Sequence, residues 1–161
     1  GIHLDSFLHG GAQERGFRAG TENVAGIIGL TKALEETYNT LTQDKLHILA
    51  LKKYLIYHLK EQISDISFNG NCENEAESLY SIVNISLPPL KNNNMLLFNL
   101  DLHNIFISGG SACASGALIG SHVLHALDSE DTRSSIRCSF SKFNTFQEID
   151  YFIEKLKILY P

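Results

Sequence analysis

The sequence predicts an α+β domain: a small, mostly antiparallel sheet covered by helices and preceded by a long helix. Three observations carry that expectation. Between Val24 and Ile63, apolar residues recur at helical spacing over a length far beyond one ordinary helix. Two runs, Ile82 to Leu87 and Ser134 to Phe140, read as strands, the first β-branched and the second alternating. Helical periods return between and after them, with too few strand–helix repeats for a doubly wound parallel sheet.

Each element has its own local justification. From Gly10 to Gly20, "GGAQERGFRAG" interleaves four glycines with Gln13, Glu14, Arg15 and Arg18. Thr21 stands where an N-cap belongs, ahead of "VAGIIGLTKALEE". Val24, Ile27, Ile28, Leu34 and Tyr38 keep helical spacing, and Leu51, Leu55, Leu59 and Ile63 follow four apart as a buried stripe. The intervening "NTLTQDK" allows a kink or a break, so one long, bent helix and two consecutive helices are both open.

After Ile63 the period changes. "DISFNGN" predicts a short strand ended by an Asn-Gly turn, and Pro88 and Pro89 stop the strand of Ile82 to Leu87. "NNNMLLFNLDLHN" returns to helix, with asparagines available to cap its start. "IFIS" (105–108) reads as a short strand, and "SHVLHAL" as a short helix capped by Ser121. In "SSIRCSF", Ile136, Cys138 and Phe140 share one face and Ser135, Arg137 and Ser139 the other. The final helix, "TFQEIDYFIEKLKIL", opens on Thr145 with Glu148 three residues later, the pattern of a capping box.

Composition narrows the function classes. The chain has 161 residues, 43% of them hydrophobic, enough for one domain with a single core. No apolar run reaches eighteen residues, which excludes a membrane span. A net charge of −5 with scattered basic residues argues against nucleic acid as the main partner. Three cysteines, Cys72, Cys113 and Cys138, form no CxxC and no metal-ligand spacing. An odd, sparse set fits a reducing compartment. The opening "GIHLDSFLHGGAQERG" lacks the basic and apolar regions of a signal peptide, so the cytoplasm is expected. Those opening residues read as a loop without a scaffold of its own, so a fragment is expected.

Three residues are candidates for chemistry. Cys113 sits in "SGGSACASGALIGSH", where small neighbours leave a thiolate accessible and mobile. Gly109, Gly110 and Gly116 loosen the backbone on either side of it. A surface cysteine in a flexible linker would look the same. Arg137, mid-strand and flanked by serines, can present a rigid fork of donors to a carboxylate. An ion pair with Glu148 or Asp150 would use it equally well. Thr21, after a glycine loop and near Arg15 and Arg18, suits an anion at a helix start or a plain cap. Cys138 points to the apolar face and belongs in the core; Cys72 is expected as a loop thiol without a role. His9 and His122 lack visible partners and receive none.

Together these segments resemble the C-terminal part of a cysteine desulfurase of the NifS/IscS-like group, within the class V aminotransferase superfamily. "HGGAQERGFRAGTENVAGIIGLTKALEE" is similar to the family's Gly-Gly-x-x-Glu-Arg-x-x-Arg-x-Gly-Thr stretch and the helix after it. "SGGSACASG" resembles the persulfide-cysteine loop, and "SHVLHAL" and "SSIRCSFSKFNTFQEIDYFIEKL" resemble the elements that follow. The resemblance implies the C-terminal domain of a fold type I pyridoxal-phosphate enzyme. It implies that Cys113 accepts sulfur as a persulfide, and that Arg137 holds the α-carboxylate of L-cysteine. It further implies that Thr21 reaches the phosphate of pyridoxal 5'-phosphate held by the partner subunit of a homodimer. The product would be L-alanine, and the sulfur would pass to an acceptor protein such as an iron–sulfur scaffold. No metal, nucleic acid or membrane enters this chemistry.

On this resemblance, residues 1–22 are expected to be a loop segment of the cofactor domain. Residues 23–161 would be the small domain with its linking helix. The family's Ser-x-His-Lys segment, which holds the cofactor lysine, does not occur in the chain. This stretch by itself is therefore expected to form no covalent cofactor adduct and to turn over no cysteine. Two smaller departures, Ile119-Gly120 after the loop and Ser141-Lys142 in "CSFSKF", touch none of the three roles. The competing expectations are a selenocysteine lyase and a non-catalytic α+β binding domain that uses Cys113 incidentally. A thiol oxidoreductase would lack both a CxxC and a resolving cysteine.

Overall fold

The computed structural model describes residues 4–89, 95–109, 121–127 and 133–160. Two compact units divide the chain, Gly1–Leu41 and Thr42–Pro161. The first unit holds the glycine loop and the start of the long helix. The loop closes on itself: Ala19 N–H donates to Leu8 O at 3.2 Å, and Gly20 N–H to Gln13 Oε1 at 3.3 Å. Ala19 is buried at this closure, and a Cβ on Gly10 (φ +152) would stand 3.1 Å from its methyl group. At the turn Gln13–Gly16, both Glu14 (φ 51) and Arg15 (φ 56) adopt left-handed backbone, which L-residues resist.

The helix that follows, α1 (Val24–Gln62), is one continuous element, so "NTLTQDK" does not break it into two helices. Its cap is Asn23, not Thr21. Asn23 Oδ1 accepts from Gly26 N–H at 3.0 Å, and its carbonyl accepts from Ile27 N–H. A cap must sit directly before the first helical residue to reach N3, and Thr21 is two residues too early. Within the first half, the hydroxyls of Thr31, Thr37 and Thr40 donate to the carbonyls of Ile27, Ala33 and Glu36, which satisfies these side chains on the helix itself.

The second unit is the predicted α+β layer. Four antiparallel strands, β1 (Ser67–Phe68), β2 (Ile82–Leu87), β3 (Ser108–Gly109) and β4 (Ser134–Ser139), lie in the order β1-β2-β4-β3. The helices are the end of α1, α2 (Leu96–Asp101), α3 (His122–Ala126) and α4 (Phe146–Leu159). The expected stripe of Leu51, Leu55, Leu59 and Ile63 is buried against Val83, Ile85 and Leu87 of β2, Ile136 and Cys138 of β4, and Ile149, Phe152, Ile153 and Leu156 of α4. β2 and β4 pair with Ile85 opposite Ile136 and Val83 opposite Cys138, which aligns their apolar faces.

Two local expectations shift. β3 begins at Ser108, and Ile105 to Ile107 carry no strand, because the pairing with β4 starts only at Ser108 opposite Arg137. The cap position of α2 is Met95, which makes no side-chain cap bond; Asn92 to Asn94 lie outside the described residues. The caps on α3 and α4 stand as expected. Ser121 Oγ accepts from Leu124 N–H, while Thr145 and Glu148 satisfy each other's backbone donors.

Candidate functional site

The strand pairing that buries one face of the sheet necessarily collects polar side chains on the other. There Arg137 stands opposite Asn84 on β2 and opposite Ser108 on β3. Its Nη2 lies 3.5 Å from Ser108 Oγ, at the limit of a hydrogen bond. Its Nε is buried and has no hydrogen-bond partner. A buried guanidinium donor without an acceptor is costly unless a ligand supplies one.

The acids that might have paired with Arg137 are committed elsewhere. Glu148 accepts from Thr145 N–H at 2.8 Å, and this bond holds its carboxyl below the usual range. Asp150 accepts from Tyr54 Oη at 2.7 Å. Among the described residues, Arg137 forms no ion pair. Arg133, which the sequence reading passed over, shows the opposite case. Its guanidinium bonds Asp65 Oδ2 at 2.8 Å and Ser86 Oγ at 2.8 Å, and so ties the loop before β1 to β2. Nothing in its local sequence distinguishes it from Arg137, since both partners come from distant segments.

Around Arg137 the polar face is hydrogen-bonded and half-buried. Asn69 Nδ2 donates to Asn84 Oδ1 at 2.8 Å and to Ser135 Oγ at 2.9 Å. Cys72 closes the network, its thiol donating to Asn69 O at 3.0 Å and accepting from Asn84 N–H at 3.3 Å. Nearby, Lys52 is buried to 2% exposure, and this burial pushes its ammonium pKa down; Ser78 Oγ and Leu79 O accept its protons. Cys138, on the core face of β4, is buried and its thiol is pushed up to about 12 by loss of water. It is a packing residue.

Thr21, in the first unit, is exposed at the end of the glycine loop, directly after Gly20 (φ +100). Its hydroxyl is not used to cap α1, because Asn23 does that. Among the described residues no group holds it. Cys113, with Gly110 and Gly116, lies outside the described residues; β3 leads into that segment at Gly109. No group of three or more His, Cys, Asp or Glu residues among the described residues is placed to hold a metal. No helix among them is long and apolar enough to cross a membrane.

A family model for aminotransferase class-V proteins matches residues 7–152, nearly the whole chain. The chain belongs to the class-V aminotransferase family. Among curated relatives, cysteine desulfurase IscS of Clostridium botulinum (strain Hall) is 39% identical over 158 residues, covering 97% of this chain and 39% of that protein. Cysteine desulfurase IscS of Dictyoglomus turgidum is 36% identical and covers all of this chain and 42% of its own length. A solved NifS-like protein from Rickettsia africae superposes with a TM-score of 0.79 at 30% identity, over 99% of this chain and 41% of that one. The chain thus spans about two fifths of the length of the relatives it matches. The likeness to the Rickettsia africae structure extends over both the α+β layer and the long helix.

Proposed function

We propose that this chain is the C-terminal part of a pyridoxal-phosphate-dependent cysteine desulfurase, which converts L-cysteine to L-alanine and passes the sulfur on. The observation that carries the reading is Arg137: a half-buried arginine whose buried Nε has no acceptor, on a polar sheet face flanked by hydrogen-bonding side chains. An amino-acid carboxylate is the ligand that a planar fork of donors fits best.

The residues present also suit the cofactor. Thr21 offers a hydroxyl free of intramolecular duties beside a glycine whose backbone permits close approach, as a phosphate contact requires. When bound, pyridoxal phosphate supplies the electron sink that makes the substrate's carbon–sulfur bond breakable. In this reading Arg137 fixes the substrate by its carboxylate. The Cys113 thiolate attacks the substrate sulfur, forming an S–S bond as the C–S bond breaks. The electron pair stays with the carbon, which takes a proton, leaving L-alanine and a Cys113 persulfide. A cysteine among small residues then hands the terminal sulfur to an acceptor thiol. We further assign residues 1–22 to the edge of a cofactor-bearing domain and residues 23–161 to the small domain. Homodimer formation, with Thr21 serving the partner subunit's cofactor, belongs to the same proposal.

The test uses the full-length protein carrying this stretch, supplied with pyridoxal phosphate and L-cysteine. Wild type should form L-alanine; Cys113→Ser should form almost none while still binding substrate. Equal output from both removes Cys113 as the sulfur acceptor. Arg137→Ala should raise KM for L-cysteine by about tenfold or more, the worth of a charge-assisted hydrogen bond.

A further inference from the structure

We infer that Asn84 is a second donor for the substrate carboxylate, acting beside Arg137 to select a free carboxylate over a neutral group; this rests on the reading of Arg137 above. The backbone supplies the first argument. Asn84 N–H donates to Cys72 Sγ, and Asn84 C=O accepts from Asn69 N–H at 3.0 Å. Both groups therefore point away from β4. In an antiparallel pair this makes Asn84 and Arg137 a non-hydrogen-bonded couple, the kind whose facing side chains come closest.

The side chains supply the second. Asn84 Oδ1 is taken by Asn69 Nδ2 at 2.8 Å, and Asn69 is itself steadied by Ser135 Oγ. What remains to Asn84 is its Nδ2, a donor, and no described residue accepts from it. Arg137 is also a donor only. The register sets the two residues opposite each other, and neither Asn84 Nδ2 nor Arg137 Nε has an acceptor among the described residues; one ligand with two acceptor oxygens would satisfy both. A carboxylate is such a ligand. Had the sheet needed Asn84 only to steady Arg137, its oxygen would face the guanidinium; instead Asn69 holds that oxygen aside. Ser108, on the other flank, takes one edge of the guanidinium and leaves the remaining edge to the ligand.

The experiment is calorimetric titration of the full-length, cofactor-loaded protein with L-alanine and with L-alaninamide, which differ in the carboxylate. Wild type should prefer L-alanine. Asn84→Ala should weaken L-alanine by about tenfold and leave L-alaninamide unchanged. Asn84→Asp keeps the size and shape of the residue, and so covers failure of the alanine variant to fold. It sets a fixed carboxylate against Arg137 and should erase the preference. Wild-type affinity for L-alanine in both variants overturns the inference, as does a parallel loss of both ligands, which marks a structural role. Arg137→Ala separates the two readings. If it alone loses the preference, Asn84 is not a donor to the ligand. If it too binds L-alanine normally, the carboxylate site itself is refuted and this inference with it.

Discussion

Arg133 and Arg137 carry the same charge on neighbouring stretches of chain, yet their surroundings separate them. Arg133 is neutralised by Asp65 and saturated by Ser86, so its removal should cost stability rather than activity. Arg137 keeps a buried, unpartnered Nε, and its removal should do the reverse. Cys138 and Cys72 divide on the same principle of environment. Burial raises the Cys138 thiol to about 12 from 9.0, so the folded protein holds that proton more tightly than the unfolded chain. The stabilisation is fully present below pH about 9 and is lost as pH rises toward about 12. Thermal melts from pH 8 to pH 11 should show an alkaline decline that Cys138→Val reduces; an unchanged decline would place its origin elsewhere, Tyr54 being the next candidate.

At the scale of elements, α4 holds its first turn by a reciprocal cap. Thr145 Oγ1 accepts from Glu148 N–H at 3.3 Å, and Glu148 Oε2 accepts from Thr145 N–H at 2.8 Å. Thr145→Ala should cost about 1 kcal/mol in chemical denaturation. Glu148 is held below its ordinary pKa, first by the bond from Thr145 N–H and then by Asn144. Its contribution is present above pH about 4.5 and fades as pH falls through the lowered value, so Glu148→Gln should flatten the acid limb of the stability curve. This cap was legible because both partners sit three residues apart. So were β2, ended by two prolines, and the buried stripe of α1, set by spacing alone. The start of β3 was not, since Ser108 pairs with a residue 29 positions on and local alternation in "IFIS" says nothing of that partner. Thr21 misled as a cap because Asn23, two residues later, offers an equally good oxygen nearer the helix. The polar row of Asn84, Arg137 and Ser108 was invisible except at Arg137, because it assembles from three separate strands. The core can be tested at this scale too: Leu55→Ala, at 1% exposure among sheet and α4, should cost about 2–5 kcal/mol.

For the whole molecule, the two halves of α1 have opposite surroundings. Leu51, Leu55 and Leu59 are buried, whereas Val24, Ile27, Ile28, Leu34 and Tyr38 are each more than half exposed in the chain taken by itself. At about 100° per residue those five positions fall along one face of the helix. An uncovered apolar stripe of that length is unfavourable in water and marks a contact surface. The matched relatives extend well beyond this stretch, at more than twice its length. If the rest of such a protein covers the stripe, the 161-residue stretch expressed alone should self-associate through it, and light scattering at rising concentration should show mass growing past the monomer. Leu34→Lys with Ile28→Lys should restore the monomer without loss of far-ultraviolet circular dichroism, because both residues are exposed and neither belongs to the buried core cluster. The same stretch, mixed with pyridoxal phosphate, should show no saturable absorbance band at one equivalent, since no Ser-x-His-Lys segment occurs in it. A stoichiometric band from one of its own lysines would overturn the assignment of cofactor attachment to another part of the protein. A stable monomer of the unmodified stretch at high concentration would show that the stripe needs no cover.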